Sequence, residues 1–463
     1  MINETLINNE NKLTVAFKHN GYHKVTKRTA VSVNDNKLPE ILFITSYPPR
    51  ECGIATYSLD LIKALNNKFT NSFKISICAL ESENEKHTYT EDIKYILNTD
   101  YPNAFICLAK NINEDDNIQI VLIQHEFGFY EKKENKLNLF LCTITKPIVL
   151  VFHTALPHPN ETLKKNVQDI TAAAESVIVM THSSKNILMS DYQIAEDKIT
   201  VIPHGTHLVP HSDKELLKEK YKLSGKIILS TFGLLSSGKS IETTLDALPA
   251  ITKANPDVMF LIIGKTHPSV KQREGEKYRL MLEERVEALQ LKNNVQFINS
   301  FVPLPELLEY LQLTDIYLFT SKDPNQAVSG TFSYAISCGC PVISTPIPHA
   351  REVLSTDAGI IIDFESNEQL SDAVNKLLND EQLRTVISLN GLHKMAETAW
   401  ENAAIAHARL FEEISRDQIA LHYDIPEINL DHIKKMTTDF GMIQFAKINH
   451  PDIETGYTLD DPD

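Results

Sequence analysis

Short apolar runs recur along the chain from residue 40 onward, and stretches of helical length separate them. The first group of runs covers residues 41–45, 74–79, 118–124, 147–153, 176–180 and 199–202. Between them, residues 57–65 and 163–174 repeat apolar side chains at helical spacing. Apolar, β-branched runs that alternate with helices are typical of βαβ units, in which helices cover both faces of a parallel sheet. The pattern predicts a doubly wound α/β domain.

The same pattern starts again after a polar, Lys-rich stretch at residues 211–225. Six further apolar runs follow at residues 226–232, 258–264, 295–298, 316–320, 341–345 and 359–362. Helical patterns separate them at residues 241–253, 273–289 and 368–378. This restart predicts a second doubly wound domain. Because ligands bind outside the carboxyl ends of the strands in such folds, we expect the two domains to face each other across a binding cleft.

Changes in composition set the domain boundaries. We predict a mobile N-terminal arm over residues 1–39, which are rich in Asn, Lys and Thr. Rossmann-like domains then cover residues 40–215 and 216–395. An amphipathic helix is expected within residues 396–417, and residues 418–463 form an acidic tail.

Composition and charge exclude several classes of protein. The 463 residues carry a formal net charge of −16, which opposes a nucleic-acid backbone. The six cysteines lack paired metal spacing, and no apolar run approaches the roughly 18 residues of a membrane span. We therefore predict a cytoplasmic protein that binds neither nucleic acid nor metal, and peripheral membrane contact stays open. The chain has 15 glycines, whereas average usage predicts about 32. Because glycine is scarce here, the position of each one is informative.

The segment from Gly233 to Ser240 reads Gly-Leu-Leu-Ser-Ser-Gly-Lys-Ser and matches the P-loop pattern between a strand and a helix. A P-loop NTPase also needs an aspartate at the end of a neighbouring strand to hold Mg²⁺. The neighbouring strands are followed instead by Gly264 and Thr320. The NTPase is therefore an alternative only. The segment still predicts a diphosphate site, built on Gly233, Lys239 and free amides, with a solvated turn as the plain alternative.

Other polar segments also follow predicted strands. Arg50 and Gly53 lie in a proline-stiffened segment before a helix, which suits a leaving phosphate or an acceptor, although a plain turn fits too. Glu126 and His153 follow central strands and can form directional hydrogen bonds with sugar hydroxyls, unless they are structural residues. His204 ends the first half of the chain and is expected to line the cleft.

Two segments of the second half allow both a binding and a structural interpretation. Residues 323–332 open a helix with Ser, Gly and Thr, which suits an anion or sugar hydroxyls, with ordinary N-capping as the alternative. Residues 264–279 form a charged cluster. Arg273, Glu276 and Arg279 are spaced at i,i+3, which favours a salt-bridged helix face.

In combination, these segments resemble a known family. Residues 47–55, 202–205, 232–240 and 338–343 occur in the order seen in retaining GT-B glycosyltransferases of the GT4 type. The resemblance spans residues 40–415. It implies a nucleotide-sugar donor held by the second domain, a saccharide or glycoconjugate acceptor held by the first, and metal-independent hexosyl transfer with retention. It also implies that the helix within 396–417 crosses back to the first domain.

The chain departs from the family pattern at three positions. Leu234 stands where such enzymes usually carry an arginine that binds the diphosphate, and Gln326 and Tyr334 replace the usual pair of glutamates. The candidates to supply the missing charge are Arg50, Lys265, Arg273 and Arg351. The segments 273–276 and 329–331 resemble a divergent bacterial branch of the family, and residues 426–461 resemble the start of its helical region.

These inferences assign a set of candidate site residues. The predicted catalytic residues are Lys239, His153 and Gln326. The predicted donor and phosphate contacts are Gly233, Lys239, Ser329, Gly330, Thr331, Tyr334 and His204. The predicted acceptor contacts are Arg50, Gly53, Glu126 and His153. The alternatives are a catalytically weak GT-B module that binds a sugar or a partner, and the P-loop NTPase.

Overall fold

The computed structural model describes residues 38–458, apart from 211, 355–356, 417, 426 and 448–449. The mobile arm predicted over residues 1–39 lies outside the described residues, except for its last two. Both predicted doubly wound α/β units are present as parallel sheets flanked by helices.

The first sheet has seven parallel strands in the order β3-β2-β1-β4-β5-β6-β7. Its strands are β1 (Glu40–Thr45), β2 (Lys74–Glu81), β3 (Tyr95–Asn98), β4 (Ile118–His125), β5 (Ile148–Phe152), β6 (Ser176–Val179) and β7 (Ile199–Val201). Its helices are α1 (Gly53–Lys68), α2 (Pro102–Glu114), α3 (Glu134–Thr143), α4 (Glu161–Ala172) and α5 (His182–Ser190). Every residue of β1 is buried, which explains its unbroken apolar run. The edge strand β3 was not predicted, because Ile96 is exposed and the strand is short.

The second sheet has six parallel strands in the order β10-β9-β8-β11-β12-β13. Its strands are β8 (Ile227–Phe232), β9 (Val258–Ile263), β10 (Val295–Ile298), β11 (Ile316–Phe319), β12 (Val342–Ser344) and β13 (Ile360–Ile361). The helices of this half are α6 (Lys214–Lys220), α7 (Ile241–Ala254), α8 (Pro268–Glu274), α9 (Lys277–Ala288), α10 (Leu304–Leu313), α11 (Gly330–Ser337), α12 (Pro348–Leu354), α13 (Asn367–Asn379) and α14 (Glu381–Ala396).

The prediction of a single helix over residues 273–289 is wrong. The chain forms α8 and α9 instead, because Gly275 at φ +68° ends the first of them. A positive φ is strained for other residues and interrupts a right-handed helix.

Helix α15 (Trp400–Ile414) packs against α1 of the first half. Its buried residues, among them Ala404 and Phe411, share a core cluster with Ile41 of β1. The link between the halves runs alongside its start, where the Trp400 amide donates to Thr206 O at 2.9 Å. The described chain therefore returns to the first half after the second sheet.

Part of the predicted acidic tail packs on the first half. The Asp424 amide donates to Lys68 O at 2.8 Å, and the ring of Tyr423 lies 5.0 Å from that of Phe69. Beyond it lie one six-residue helix and two short antiparallel ladders. These are α16 (Asp431–Met436), β14 (Thr437–Thr438), β15 (Gly441–Met442), β16 (Ala446–Lys447) and β17 (His450–Pro451). The prediction that a larger helical region begins here stays a prediction.

Within the described ranges, no helix combines the length and apolarity that crossing a bilayer requires. Nor do the described residues contain a group of three or more His, Cys, Asp or Glu side chains placed to hold a metal ion. The cytoplasmic location and the absence of a metal requirement both stay predictions.

Candidate active site

Two glycine turns form the floor of the site at the carboxyl edge of the second sheet. Gly233 follows β8 with φ +124°, and Gly264 follows β9 with φ +135°. A Cβ atom added to Gly264 would lie 2.1 Å from Gly233 O. Only glycine fits this close approach, so the two turns pack backbone against backbone.

The side chain of Lys239 folds back over the first of these glycines. Its Nζ lies 3.4 Å from Phe232 O and would be 2.8 Å from a Cβ atom on Gly233. Burial lowers the pKa of Lys239 to about 8. A partly buried ammonium group with one long hydrogen bond is poorly compensated, and an anion beside it would stabilise its charge.

The local conformation differs from that expected of a P-loop. Residues Ser237–Lys239 form a single 3₁₀ turn, Ser240 adopts φ +48°, and α7 begins only at Ile241. The Ser240 hydroxyl is buried and lies 3.0 Å from the Thr243 hydroxyl. A P-loop serine must reach Mg²⁺, so this arrangement argues against the NTPase alternative.

The start of α11 borders the same lysine. Ser329 caps the helix, its Oγ accepting from the Phe332 amide at 3.4 Å and lying 3.1 Å from Thr331 Oγ1. Thr331 Cγ2 would lie 3.1 Å from a Cβ atom on Gly233, which places Thr331 next to the Lys239 amine. The amides of Gly330 and Thr331, in the first turn of this helix, and the Lys239 amine therefore face one small region.

His204 reaches the same region from the link between the halves. A Cβ atom added to Gly330 would lie 2.9 Å from His204 Nε2. His204 Nδ1 lies 2.8 Å from Gly205 O and must carry the proton, because a carbonyl oxygen only accepts. The structure thus brings together six of the predicted donor contacts: Gly233, Lys239, Ser329, Gly330, Thr331 and His204.

Among the predicted residues of the first half, His153 reaches this region through the ring of Tyr57. The Tyr57 ring packs edge-on against His204 at 5.1 Å and against His153 at 5.0 Å. His153 Nε2 lies 2.7 Å from Gln124 Oε1 and is therefore the protonated nitrogen. Burial lowers the pKa of His153 to about 3 and that of His204 to about 4. Both imidazoles are neutral at pH 7 and act as hydrogen-bonding groups rather than as cations.

Glu126 follows β4, and His153 follows the neighbouring strand β5. Its carboxylate accepts from the Thr154 hydroxyl at 2.7 Å and from the Phe127 amide at 3.0 Å. Burial raises the pKa of this carboxyl group. These contacts fix an acceptor group of the type that binds sugar hydroxyls.

Two further predicted acceptor contacts lie in the loop after β1. The Arg50 guanidinium forms an ion pair with Glu85 at 2.6 Å and lies 5.2 Å from the centre of the Phe129 ring. Gly53 opens α1 with free space where a side chain would be. The charge of Arg50 is thus already compensated within the first half.

The other proposed substitutes for the missing arginine differ in position. Lys265 forms an ion pair with Glu51, which joins the two halves across the cleft. Arg273 is exposed on α8 and donates to Ser269 O at 3.2 Å. Arg351 donates to Pro346 O at 3.0 Å on α12. Burial lowers the pKa of His267, and the nearby Arg273 lowers it further.

Two of the predicted site residues are occupied by internal contacts. Gln326 Oε1 accepts from the Ser321 hydroxyl at 2.7 Å, and its amide nitrogen lies 3.4 Å from Val328 O. The Tyr334 hydroxyl donates to Asp60 Oδ2 at 2.8 Å, and both residues are only 6% exposed. Tyr334 therefore joins the two halves, and its hydroxyl is not free to contact a donor.

Sequence reasoning missed Tyr57, Asp60 and His349. His349 Nδ1 accepts from the Ser329 amide at 3.1 Å and so fixes the start of α11. Asp60 also lies 3.2 Å from His207 Nε2, on the buried face of α1. Asp60 could have been identified from the sequence, because it lies on the apolar face of a predicted helix. A carboxylate buried there needs a hydrogen-bond partner.

Comparison with known proteins finds glycosyltransferases. Residues 213–394 match the family described as Glycosyl transferases group 1. The chain is 23% identical over 328 residues to the phosphatidylinositol N-acetylglucosaminyltransferase GPI3 subunit of Saccharomyces cerevisiae, covering 68% of each chain. It is 24% identical over 255 residues to the D-inositol 3-phosphate glycosyltransferase of Corynebacterium urealyticum, covering 53% of this chain and 58% of that one.

Solved structures share the fold at low identity. HepE of Anabaena in complex with UDP and glucose superposes with a TM-score of 0.65 at 15% identity, covering 81% of this chain and all of that one. Sucrose-phosphate synthase of Thermosynechococcus elongatus gives a TM-score of 0.65 at 17% identity, covering 81% and 99%. The predicted fold is confirmed: the protein has the two-domain GT-B fold, and residues 213–394 of its second half match the group 1 glycosyltransferase family.

Proposed function

We propose that the protein transfers a hexosyl unit from a nucleoside-diphosphate sugar to a saccharide or glycoconjugate acceptor, with retention at the anomeric carbon. The observation that carries this proposal is the position of Lys239. Its amine lies over Gly233 and beside the start of α11, at the carboxyl edge of the glycosyltransferase domain. This combination suits a diphosphate.

The transfer places growing negative charge on the departing diphosphate. Lys239 and the amides of Gly330 and Thr331 would stabilise that charge at fixed positions, without reorganisation during the reaction. His204 lies against Gly330 and would contact the donor through its unprotonated Nε2. We infer that Lys239 supplies most of the electrostatic stabilisation, because Leu234 replaces the second cation of the family pattern.

The acceptor would lie against the first half. Glu126 offers a fixed carboxylate and His153 a neutral imidazole, and both can bind hydroxyl groups. We propose metal-independent transfer, in which Lys239 does what a divalent cation does in other transferases. Closure of the cleft would exclude water that otherwise hydrolyses the donor.

A panel of nucleotides tests the proposal. UDP, GDP, ADP and dTDP, each with and without a sugar, are added to the full chain and the melting temperature is recorded. A ligand at about 100 times its Kd adds roughly 2.7 kcal/mol of stability, so a true donor raises the melting temperature. Nuclear magnetic resonance of the product then reports the anomeric configuration, and added EDTA tests the metal requirement. No shift with any nucleotide would overturn the proposal.

The second candidate function is that of a catalytically weak GT-B module that binds a sugar or a partner. The internal contacts of Gln326 and Tyr334 favour it. Such a protein binds nucleotide or saccharide but transfers little sugar. Nucleotide binding without turnover, in the presence of saccharide acceptors, would select this candidate. Release of inorganic phosphate from ATP or GTP would instead support the P-loop NTPase alternative.

A further inference from the structure

His349 lies in the first turn of α12 and contacts the start of α11. Its side chain is 6% exposed, and its ring packs against that of Phe332, with 5.1 Å between the ring centres. Its Nδ1 accepts from the Ser329 amide at 3.1 Å. Because α11 holds both one nitrogen and one face of this ring, the orientation of the ring is fixed.

The second nitrogen of the ring is available for a further hydrogen bond. Burial, and then the neighbouring His204, lower the pKa of His349 to about 3, so the ring is neutral at pH 7. Nδ1 accepts from an amide and carries no proton, which places the proton on Nε2. Nε2 has no partner among the described residues, and it is not one of their fully enclosed unpaired atoms. His349 therefore presents an unused N–H donor that still reaches open space.

Three consecutive residues at the start of α11 each lie beside a different polar side chain. The pairs are Thr331 with Lys239, Gly330 with His204, and Ser329 with His349. Each step along this backbone leads away from the lysine that we assign to the diphosphate. A hexose joined to that diphosphate can therefore extend along the start of α11 to His349.

The free nitrogens of the two imidazoles have opposite hydrogen-bonding roles. His204 Nε2 only accepts, because the proton is on Nδ1, which donates to Gly205 O. His349 Nε2 only donates. A hydroxyl group matches both roles, since it donates one hydrogen bond and accepts others. A diphosphate oxygen has no proton to donate at pH 7 and would face the lone pair of His204, so the two rings suit a sugar rather than a phosphate.

We propose that His349 contacts the transferred hexose and donates through Nε2 to one of its hydroxyl groups. This inference rests on the proposed function and adds to it a residue that selects the sugar. Selectivity follows because a hexose without that hydroxyl leaves a buried N–H unpaired.

Binding to the full chain tests the proposal without turnover. The probes are a nucleoside diphosphate, its hexose conjugate, and the conjugates that lack one hexose hydroxyl. The nucleoside and the hexose are those that the melting-temperature panel selects, with UDP and UDP-glucose first. Titration calorimetry should show one deoxy conjugate that binds the parent about tenfold more weakly than the intact conjugate, since two neutral hydrogen bonds are lost.

His349→Asn removes the donor and keeps the support of α11. Asparagine places an oxygen where Nδ1 lies, so it retains an acceptor for the Ser329 amide and loses Nε2. The penalty for the missing hydroxyl should fall from about tenfold to about threefold, which is the share of the His204 contact. Affinity for the free nucleoside diphosphate should stay within about twofold of the parent.

Two further variants separate this contact from a loss of stability. His349→Gln places an amide nitrogen near the position of Nε2 and leaves the Ser329 amide without its acceptor. It should lower the melting temperature and keep the tenfold penalty. Ser388→Ala loses a hydrogen bond to Gly339 O at 2.7 Å within the second half and is the control. It should also keep the tenfold penalty.

The outcomes separate this inference from the proposed function. An equal penalty in the parent and His349→Asn would overturn the role of His349, and so would a parent that binds every deoxy conjugate as tightly as the intact one. Hexose transfer combined with either result contradicts this inference alone. Selective binding that depends on His349, without transfer to any acceptor, contradicts the proposed transfer alone.

Discussion

The two halves of the molecule share a parallel-sheet architecture but present different groups to the cleft. The second half offers mainly backbone, at Gly233 and the start of α11, together with one poorly compensated lysine. The first half offers side chains that already have partners, such as Arg50 with Glu85 and Glu126 with Thr154. Backbone amides and a point charge suit a diphosphate common to many donors, whereas paired side chains suit one particular acceptor.

The family match also distinguishes the two halves of the chain. It covers residues 213–394, the half that carries Lys239. We infer that the donor chemistry is the shared part of this fold and that the acceptor chemistry is specific to this chain. The following predictions test that division.

The largest effect is expected for Lys239→Ala. Removal of the lysine should lower kcat by about 10²- to 10³-fold, as removal of one preorganised electrostatic donor does in other enzymes. Steady-state kinetics with the active nucleotide sugar measure the loss. Lys253→Ala, an exposed change at the end of α7, is the control and should keep full activity. Unchanged kcat in Lys239→Ala would remove the lysine from the donor site.

Tyr334→Phe should act on stability rather than on the donor. The change removes a hydrogen bond to the buried Asp60 carboxylate, which is worth about 1.5–3 kcal/mol. Denaturant unfolding should show this loss while UDP affinity stays within about twofold of the parent. A variant of normal stability that binds UDP tenfold more weakly would instead make Tyr334 a donor contact.

Glu126→Gln should affect the acceptor side alone. The amide keeps the size of the side chain and removes its charge, so we expect KM for the acceptor to rise about tenfold. Slow hydrolysis of the donor in the absence of acceptor is the second measurement, and its rate should not change. A matching fall in donor hydrolysis would contradict the division between the halves.

The smallest effect is a pH dependence of nucleotide binding. Burial lowers the pKa of free Lys239 to about 8, and a bound diphosphate raises it again, because it stabilises the ammonium form. Binding therefore takes up a proton as the pH rises through 8, and UDP affinity should fall about threefold from pH 7.5 to 8.5. Lys239→Arg should bind UDP with the same affinity at both pH values. Equal slopes for the parent and this variant would assign the titration to another group.

Most of the sheet architecture could be predicted because buried parallel strands are continuous apolar runs. The edge strand β3 escaped prediction because it is four residues long and Ile96 is half-exposed. The break between α8 and α9 depends on the conformation of Gly275, which the helical spacing of the flanking residues concealed.

The parts of the site that belong to one local motif could be predicted from the sequence. The parts formed by residues far apart in the chain could not. The glycine turn and Lys239 lie within seven residues, so the sequence displays them together. Asp60 and Tyr334 are 274 residues apart, and only the folded chain shows their contact.

Titration calorimetry with UDP compares the two halves in one experiment. The parent, Lys239→Ala and Glu126→Gln are titrated under the same conditions at pH 7. We expect the parent and Glu126→Gln to bind UDP with equal affinity, and Lys239→Ala to bind it at least about tenfold more weakly, since a charge-assisted contact is lost. Equal binding by all three proteins, or a loss in Glu126→Gln alone, would contradict the placement of the donor diphosphate on the second half.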